Sequence, residues 1–464
     1  AAAAGNGHTT CAELAICRAL GQQPKAQVLF LSPKQATVSV LAADWHERLG
    51  GVMGYKVGLL IDGKDEHNSQ QLREAQIICA SAAQWERLVC RDPSAAPKLP
   101  RLALVVIDGL HLMGDGETTE VGDGGRLELA LSQWMCTSAG GFRVVGLAGA
   151  ALATDSANDL GGWLGVEPRN ICNFSNGIRP TTQELIVKKF DEKRHTPRLA
   201  AMNKPVFQTL QKHSDGPALV FVSSRSQCWL TAIDIIALAT ASAGGVQQFV
   251  GDSAEILEGR LRAAKAQGGM RNMLRWGVGL HYPGMHRSDR RLVSTLFAEG
   301  LLRVVIATPD LAWSTTERQF SAGLVIIKGT ERYNAAKQRF EAYHQSAVLQ
   351  MIGRAARRPA EGQAKDQAKV TVVVMCQDIL KEFWVSALFC PMPLESGLRP
   401  LLPGAEAQAR ALLEHSFLRR RVASNPSYYA ADPPEHGADA PKAEAMVTAM
   451  ISESVAQALS SRQR

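Results

Sequence analysis

The chain has 464 residues, 46% hydrophobic and 20% charged, close to the averages of soluble globular proteins, which excludes a disordered chain and a membrane bundle. At roughly 150 residues per domain there is room for about three domains, so a small disulfide-stapled or zinc-held module is excluded too. Lys plus Arg number 51 against 44 Asp plus Glu, a net charge of +7 that permits a polyanionic partner without demanding one.

The opening AAAAGNGHTT runs into the amphipathic stretch Cys11–Leu20, so Gly5 and Gly7 sit in a tight loop that opens a helix. Backbone amides at such a place can cradle phosphate. A flexible start to a helix is the competing reading. A phosphate loop normally continues with Lys and then Ser or Thr for magnesium; here His8 and Thr9 follow. A neutral imidazole offers one donor where lysine extends a full charge, so nucleotide affinity should fall without vanishing.

Short β-branched runs follow at Val28–Leu31, Gln76–Cys79, Leu102–Ile107 and Phe142–Leu147, alternating with amphipathic stretches as in βα units around a parallel sheet. The third run ends in Asp108, which can hold magnesium beside a triphosphate. The group that orients attacking water usually comes next, and that position is Gly109. Losing positioned acid–base help is worth about 10² to 10⁴ in rate. A plain Asp-Gly turn is the competing reading.

A polar stretch from Lys188 to His213 reads as a linker with a flanking helix. A second series of runs then begins, with Ala218–Val222, Val304–Ala307, Leu324–Ile327 and Val370–Met375. After about residue 398 the β-runs stop, and Pro-, Ala- and Glu-rich sequence leads through a surface loop, Asp432–Pro441, to a helical tail, Ala443–Ser461. Nine cysteines, with no CxxC pair, suit a reducing compartment. No apolar run approaches the length of a membrane span, and without a starting Met or a signal peptide the chain reads as a piece of something longer.

The motifs between Gly277 and Pro359, GVGLHYPGMHRSDRRLVSTLFAEG, RVVIAT, LVIIKGTERY and QMIGRAARRP, occur in the order and spacing of a superfamily-two DExH-box helicase. GNGHTTCAELAICRAL, LVVIDGLHLMG, LVFVSSRSQ, TAIDI, IRPTTQEL and NPSYY extend the likeness over nearly the whole chain. It is most similar to the degenerate second cassette in the subgroup of the spliceosomal U5 small nuclear ribonucleoprotein helicase. The resemblance implies an α/β fold of two RecA-like lobes with parallel sheets, followed by a truncated winged-helix region. Its expected divisions are lobe 1 at 1–187, a linker at 188–216, lobe 2 at 217–397, and a partial winged helix with a helical tail at 398–464.

The same resemblance implies residue roles. Gly5, Gly7, His8 and Thr9 would hold ATP, with Thr9 and Asp108 on magnesium. Asp108, Gln350, Arg354 and Arg357 would form the catalytic set, the arginines as fingers on the triphosphate. Pro33, Lys34, Ser81, Arg225 and Thr308 would contact RNA.

Five motifs depart from the family. They are His8, Gly109, the hydroxyl-free coupling segment Gly146–Ala151 (GLAGAA), Ser314 with Thr316, and Ala356. Most point to lost turnover. The implied function is a nuclear pseudo-helicase cassette, a regulatory platform for spliceosomal proteins beside an upstream active cassette. An active ATP-dependent RNA helicase and an RNA-binding module outside the spliceosome are the alternatives. Residues 1–200 carry 20 basic against 21 acidic side chains and the remainder 31 against 23, so RNA or triphosphate contacts should lean on the second lobe.

Overall fold

A computed structural model describes residues 1–90, 102–114, 123–137, 143–179, 181–213, 216–243, 249–250, 254–264, 268–313, 320–335, 337–355, 369–398, 405–429 and 445–453. The chain divides into two compact units. One holds Ala1–Ala3, Gly7–Asn176 and the chain from Pro391 onward; the other holds Ala4–Asn6 and Gly177–Cys390.

The first unit is built on five parallel strands, β1 (Gln27–Ser32), β2 (Val57–Leu59), β3 (Ile77–Ser81), β4 (Leu102–Ile107) and β5 (Arg143–Gly146), in the order β2-β3-β1-β4-β5. Val28 to Ser32 are all buried, as expected of a central strand covered by helices on both faces. The helix His8–Gln22 buries Ala12, Ile16 and Leu20, spaced four apart on one face, in a core with Val28, Phe30 and Val106. Cutting Ile16 to alanine would cost about 2–5 kcal/mol at such a site.

Parallel pairing brings the strand ends to one edge. Leu31 pairs with Ile107, Ser32 with Ser81, and Ile107 with Gly146. The loops after β1, β3, β4 and β5 therefore leave from that edge, the side of an open α/β sheet where ligands bind.

The second unit carries six parallel strands, β6 (Thr182–Phe190), β7 (Ala218–Val222), β8 (Val278–His281), β9 (Val304–Ala307), β10 (Leu324–Lys328) and, beyond the hairpin of β11 (Glu331–Asn334) and β12 (Arg339–Ala342), β13 (Lys369–Gln377). Their order is β6-β13-β10-β7-β9-β8. Residues 188–216, expected as a linker, contain the end of β6 and the helices His195–Ala201 and Asn203–Lys212. As an edge strand β6 is only half-buried, so its sequence lacks the apolar run that marks β7 or β10.

The C-terminal region packs with the first unit. Helices Glu406–Glu414 and Phe417–Ser424 place Ala409, Leu412, Leu413, Leu418 and Val422 in a core with Leu129 of the helix Asp123–Thr137. Residues 445–453 are helical and add Met446, Val447, Met450 and Ile451 to it. The architecture is two parallel β-sheets, each flanked by helices, followed by a mostly helical region. The expected loop Asp432–Pro441 lies outside the described residues. Among the described residues no helix is long and apolar enough to cross a membrane.

Candidate nucleotide and RNA site

Gly5 and Gly7 have φ of 91° and 90°, the left-handed conformation that glycine adopts freely, and Gly7 opens the helix His8–Gln22. The turn is of the kind that presents backbone amides to an anion. The first side chain of the helix, His8, bonds to the Ala148 backbone, and its buried Nε2 finds no protein partner. Burial pushes the imidazole below the usual histidine range, followed by repulsion from the chain's own charged N-terminus. His8 is therefore a neutral ring at pH 7. Thr9, half-buried, follows in the first helical turn.

Asp108 stands one residue past β4, where its N–H donates to the Leu31 carbonyl at 2.8 Å. Burial pushes its carboxyl up to about 6, opposed by a hydrogen bond from the Gly109 backbone. Gly109 has φ of 76°, and a Cβ built on it would lie 2.9 Å from both Cγ and Cδ of Pro33. A side chain at this position would meet both a left-handed backbone and a proline ring.

His111 is buried, and its Nδ1 accepts the Gly149 N–H at 2.9 Å. Leu110 N–H donates to the Leu147 carbonyl at 3.0 Å. The GLAGAA segment lacks side-chain hydroxyls, yet its backbone still ties it to the end of β4. Sequence reasoning missed this bond because it weighed side chains alone.

Other expected RNA residues have roles within their units. Lys34 Nζ pairs with Asp123 Oδ2 at 2.8 Å, and both side chains are partly exposed. Ser81 is buried: its Oγ accepts the Gln84 N–H and its own N–H donates to Gln84 Oε1, a capping box that starts the helix Ala82–Cys90. In the second unit Arg225 is exposed, with its guanidinium 5.1 Å from the Tyr282 ring centre. Thr308 is buried just past β9, and its Oγ1 has no protein partner.

Gln350 and Arg354 lie on and just beyond the helix Gln345–Ile352. Arg354 Nη2 donates to the carbonyls of Leu311 (2.9 Å) and Ala312 (3.1 Å), in the short helix Asp310–Trp313. Arg357, Ser314, Thr316 and Ala356 lie outside the described residues. Among the described residues there is no cluster of three or more His, Cys, Asp and Glu that could hold a metal ion.

Left-handed glycines open a helix, an orphaned imidazole nitrogen lies in its first turn, and the half-buried Asp108 carboxyl follows a parallel strand. Residues 1–140 match the DEAD/DEAH box helicase family. Activating signal cointegrator 1 complex subunit 3 of Danio rerio is 32% identical over 445 residues, which is 93% of this chain and 28% of that protein. The Homo sapiens protein of the same name is 31% identical over 438 residues, 92% of this chain and 19% of that protein. DExH-box ATP-dependent RNA helicase DExH14 of Arabidopsis thaliana is 32% identical over 438 residues, with the same coverages. The chain thus spans from just under a fifth to under a third of the length of these curated relatives.

These relatives correct the spliceosomal expectation. The similarity leads to activating signal cointegrator 1 complex subunit 3, and the assignment to the U5 helicase, the role in splicing and the spliceosomal protein partners fall with it. The reason is chemical. In DExH-box helicases such motifs serve nucleotide and RNA, a task common to many cassettes, so a likeness in them points to a superfamily and not to the assembly in which a cassette works.

Proposed function

We propose that this chain is a DExH-box helicase cassette that binds RNA and ATP outside the spliceosome, within a protein of the activating signal cointegrator 1 complex subunit 3 type. What supports the reading is similarity over 92% of the chain to a protein named as an ATP-dependent RNA helicase, together with Asp108 at the strand end where that chemistry needs a carboxylate. The two sheets would be RecA-like lobes, and the helical region after them a reduced winged-helix domain. Relatives named for a signal cointegrator favour a nuclear site of action.

In this reading the left-handed turn at Gly5 and Gly7 presents backbone N–H groups to phosphate, while neutral His8, whose one N–H is taken by the Ala148 backbone, turns only an acceptor nitrogen to the place where a lysine would carry full charge. Thr9 and Asp108 would hold magnesium, which supplies charge neutralisation on the phosphates. Gln350, Arg354 and Arg357 remain the proposed contributors from the second unit. Arg225 and Thr308, with Pro33, Lys34 and Ser81, mark the proposed RNA-facing loops. Gly109 leaves water without a positioned carboxylate, so turnover is slow even with RNA bound. Equilibrium binding of a fluorescent ATP analogue and of single-stranded RNA to the full chain tests the reading. Binding of both, with RNA affinity falling steeply as salt rises, supports it; binding of neither ends it.

A further inference from the structure

Residues 391–398 run from the second sheet's last helix into the C-terminal helices, and along the way they touch both loops that the proposed function depends on. Met392 exchanges backbone hydrogen bonds with the exit of the GLAGAA segment, its N–H to Ala151 O at 2.8 Å and its carbonyl from Ala153 N at 2.9 Å. Leu394 N–H donates to Ser156 Oγ at 3.1 Å. Backbones then meet beyond the Asp108–His111 turn: a Cβ on Gly114 would lie 2.9 Å from the Glu395 carbonyl oxygen, and one on Gly397 2.8 Å from that of Met113. Only glycine allows so close an approach at either position.

The side chain of Glu395, nearly buried, is the centre of a fully satisfied network. Its Oε1 accepts from Arg421 Nη2 at 2.7 Å and Asn425 Nδ2 at 2.9 Å, and its Oε2 from Arg421 Nε at 3.1 Å and Tyr429 Oη at 2.9 Å. Tyr429 Oη also accepts the Ser396 N–H at 2.8 Å. The third arm of Arg421, Nη1, reaches Asp159 Oδ2 at 2.5 Å, on the helix Thr154–Trp163 that follows the GLAGAA segment. Ser396 Oγ donates to the buried Glu128, which also accepts the Leu418 N–H.

A bidentate arginine with two further donors fixes a carboxylate in orientation as well as place. Fixing Glu395 in this way adds a side-chain anchor to the strap of residues 391–398, beside the backbone bonds of Met392 and Leu394. We propose that Glu395 is a positioning residue: through it the C-terminal helices set the Asp108–Gly114 and Leu147–Ala153 loops, so that a change at the C-terminal helices changes how nucleotide and RNA binding influence each other. The inference rests on reading those loops as the parts that respond to nucleotide and RNA.

Two measurements on the full chain test it, with Glu395→Gln as the main variant and Tyr429→Phe as a milder one that keeps the fold if the first does not. Amide hydrogen exchange without ligand should speed up about tenfold or more at Leu110–Gly114 and Leu147–Ala153 in Glu395→Gln, less in Tyr429→Phe, while β1 and β4 keep their protection. Faster exchange confined to residues 405–429 overturns the proposal. The second readout is the ratio of fluorescent-nucleotide affinities with and without RNA, which should fall about fivefold towards unity while the affinity for nucleotide alone and that for RNA alone each change less than twofold. An unchanged ratio overturns it as well. If the parent chain binds neither ligand, the proposed function fails, and the exchange result alone decides whether the strap positions the loops.

Discussion

The ring of Pro33 stands where a side chain on Gly109 would begin, 2.9 Å from the position of an added Cβ, and Gly109 has the positive φ of 76° that side chains resist. A left-handed non-glycine residue costs about 1–2 kcal/mol before any contact is counted. Restoring the family's glutamate by Gly109→Glu is therefore expected to lower the melting temperature and to leave RNA-stimulated ATP hydrolysis unchanged. A variant as stable as the parent that gains tenfold or more in hydrolysis would show that the turn accepts the side chain after all.

Asp108 gives a pH signature. Its folded-state pKa of about 6 lies above the ordinary 3.8, so between those values the folded chain holds the extra proton and stability falls as pH rises. The cost, on the order of 3 kcal/mol, is fully present above about pH 6 and is absent below about pH 4. Asp108→Asn removes it. Calorimetry should find the variant more stable than the parent at pH 7.5, with the gap closing towards pH 4. Magnesium-dependent nucleotide binding should be lost in the same variant.

His8 tests the phosphate side. A charged hydrogen bond is worth about 1.5–3 kcal/mol, so His8→Lys should tighten ATP binding roughly tenfold or more in titration calorimetry. Single-turnover hydrolysis should stay slow, because the water-positioning group is missing at a different residue. Unchanged or weaker nucleotide binding would remove His8 from the site.

Arg354 needs a stability control before any catalytic reading. Its two bonds to the Leu311 and Ala312 carbonyls hold a short helix, and Arg354→Ala should cost about 1.5–3 kcal/mol of stability without nucleotide. Thermal denaturation checks this directly. A variant as stable as the parent but weaker for nucleotide would show that these carbonyl bonds are incidental.

The β-branched runs made most of the sheets legible, because a strand covered on both faces must be apolar throughout, as at Val28–Leu31 and Leu324–Ile327. The half-buried edge strand β6 and the four-residue β8, which carries a glycine, gave no such run. At the site, Asp108 was legible as an acid ending a strand. The Pro33–Gly109 approach was not, since a backbone φ is not written in a single glycine. Nor was the His111–Gly149 bond, in which a main-chain amide serves where a hydroxyl was sought. The Glu395 network escaped because it joins Asp159 to Arg421 across 262 residues, and no local pattern marks such pairs. The motifs led to a DExH-box likeness that the relatives share and to an assembly that they do not, for such motifs encode chemistry that many assemblies share.

The central claim is that the chain binds ATP and RNA but cannot position water, and single-turnover hydrolysis of prebound ATP at saturating RNA tests it most directly. The account predicts ATP that stays bound and is hydrolysed at least about 10²-fold more slowly than a positioned carboxylate would allow, with no gain from Gly109→Glu. Rapid RNA-stimulated hydrolysis by the parent chain, abolished by Arg357→Ala, would contradict it.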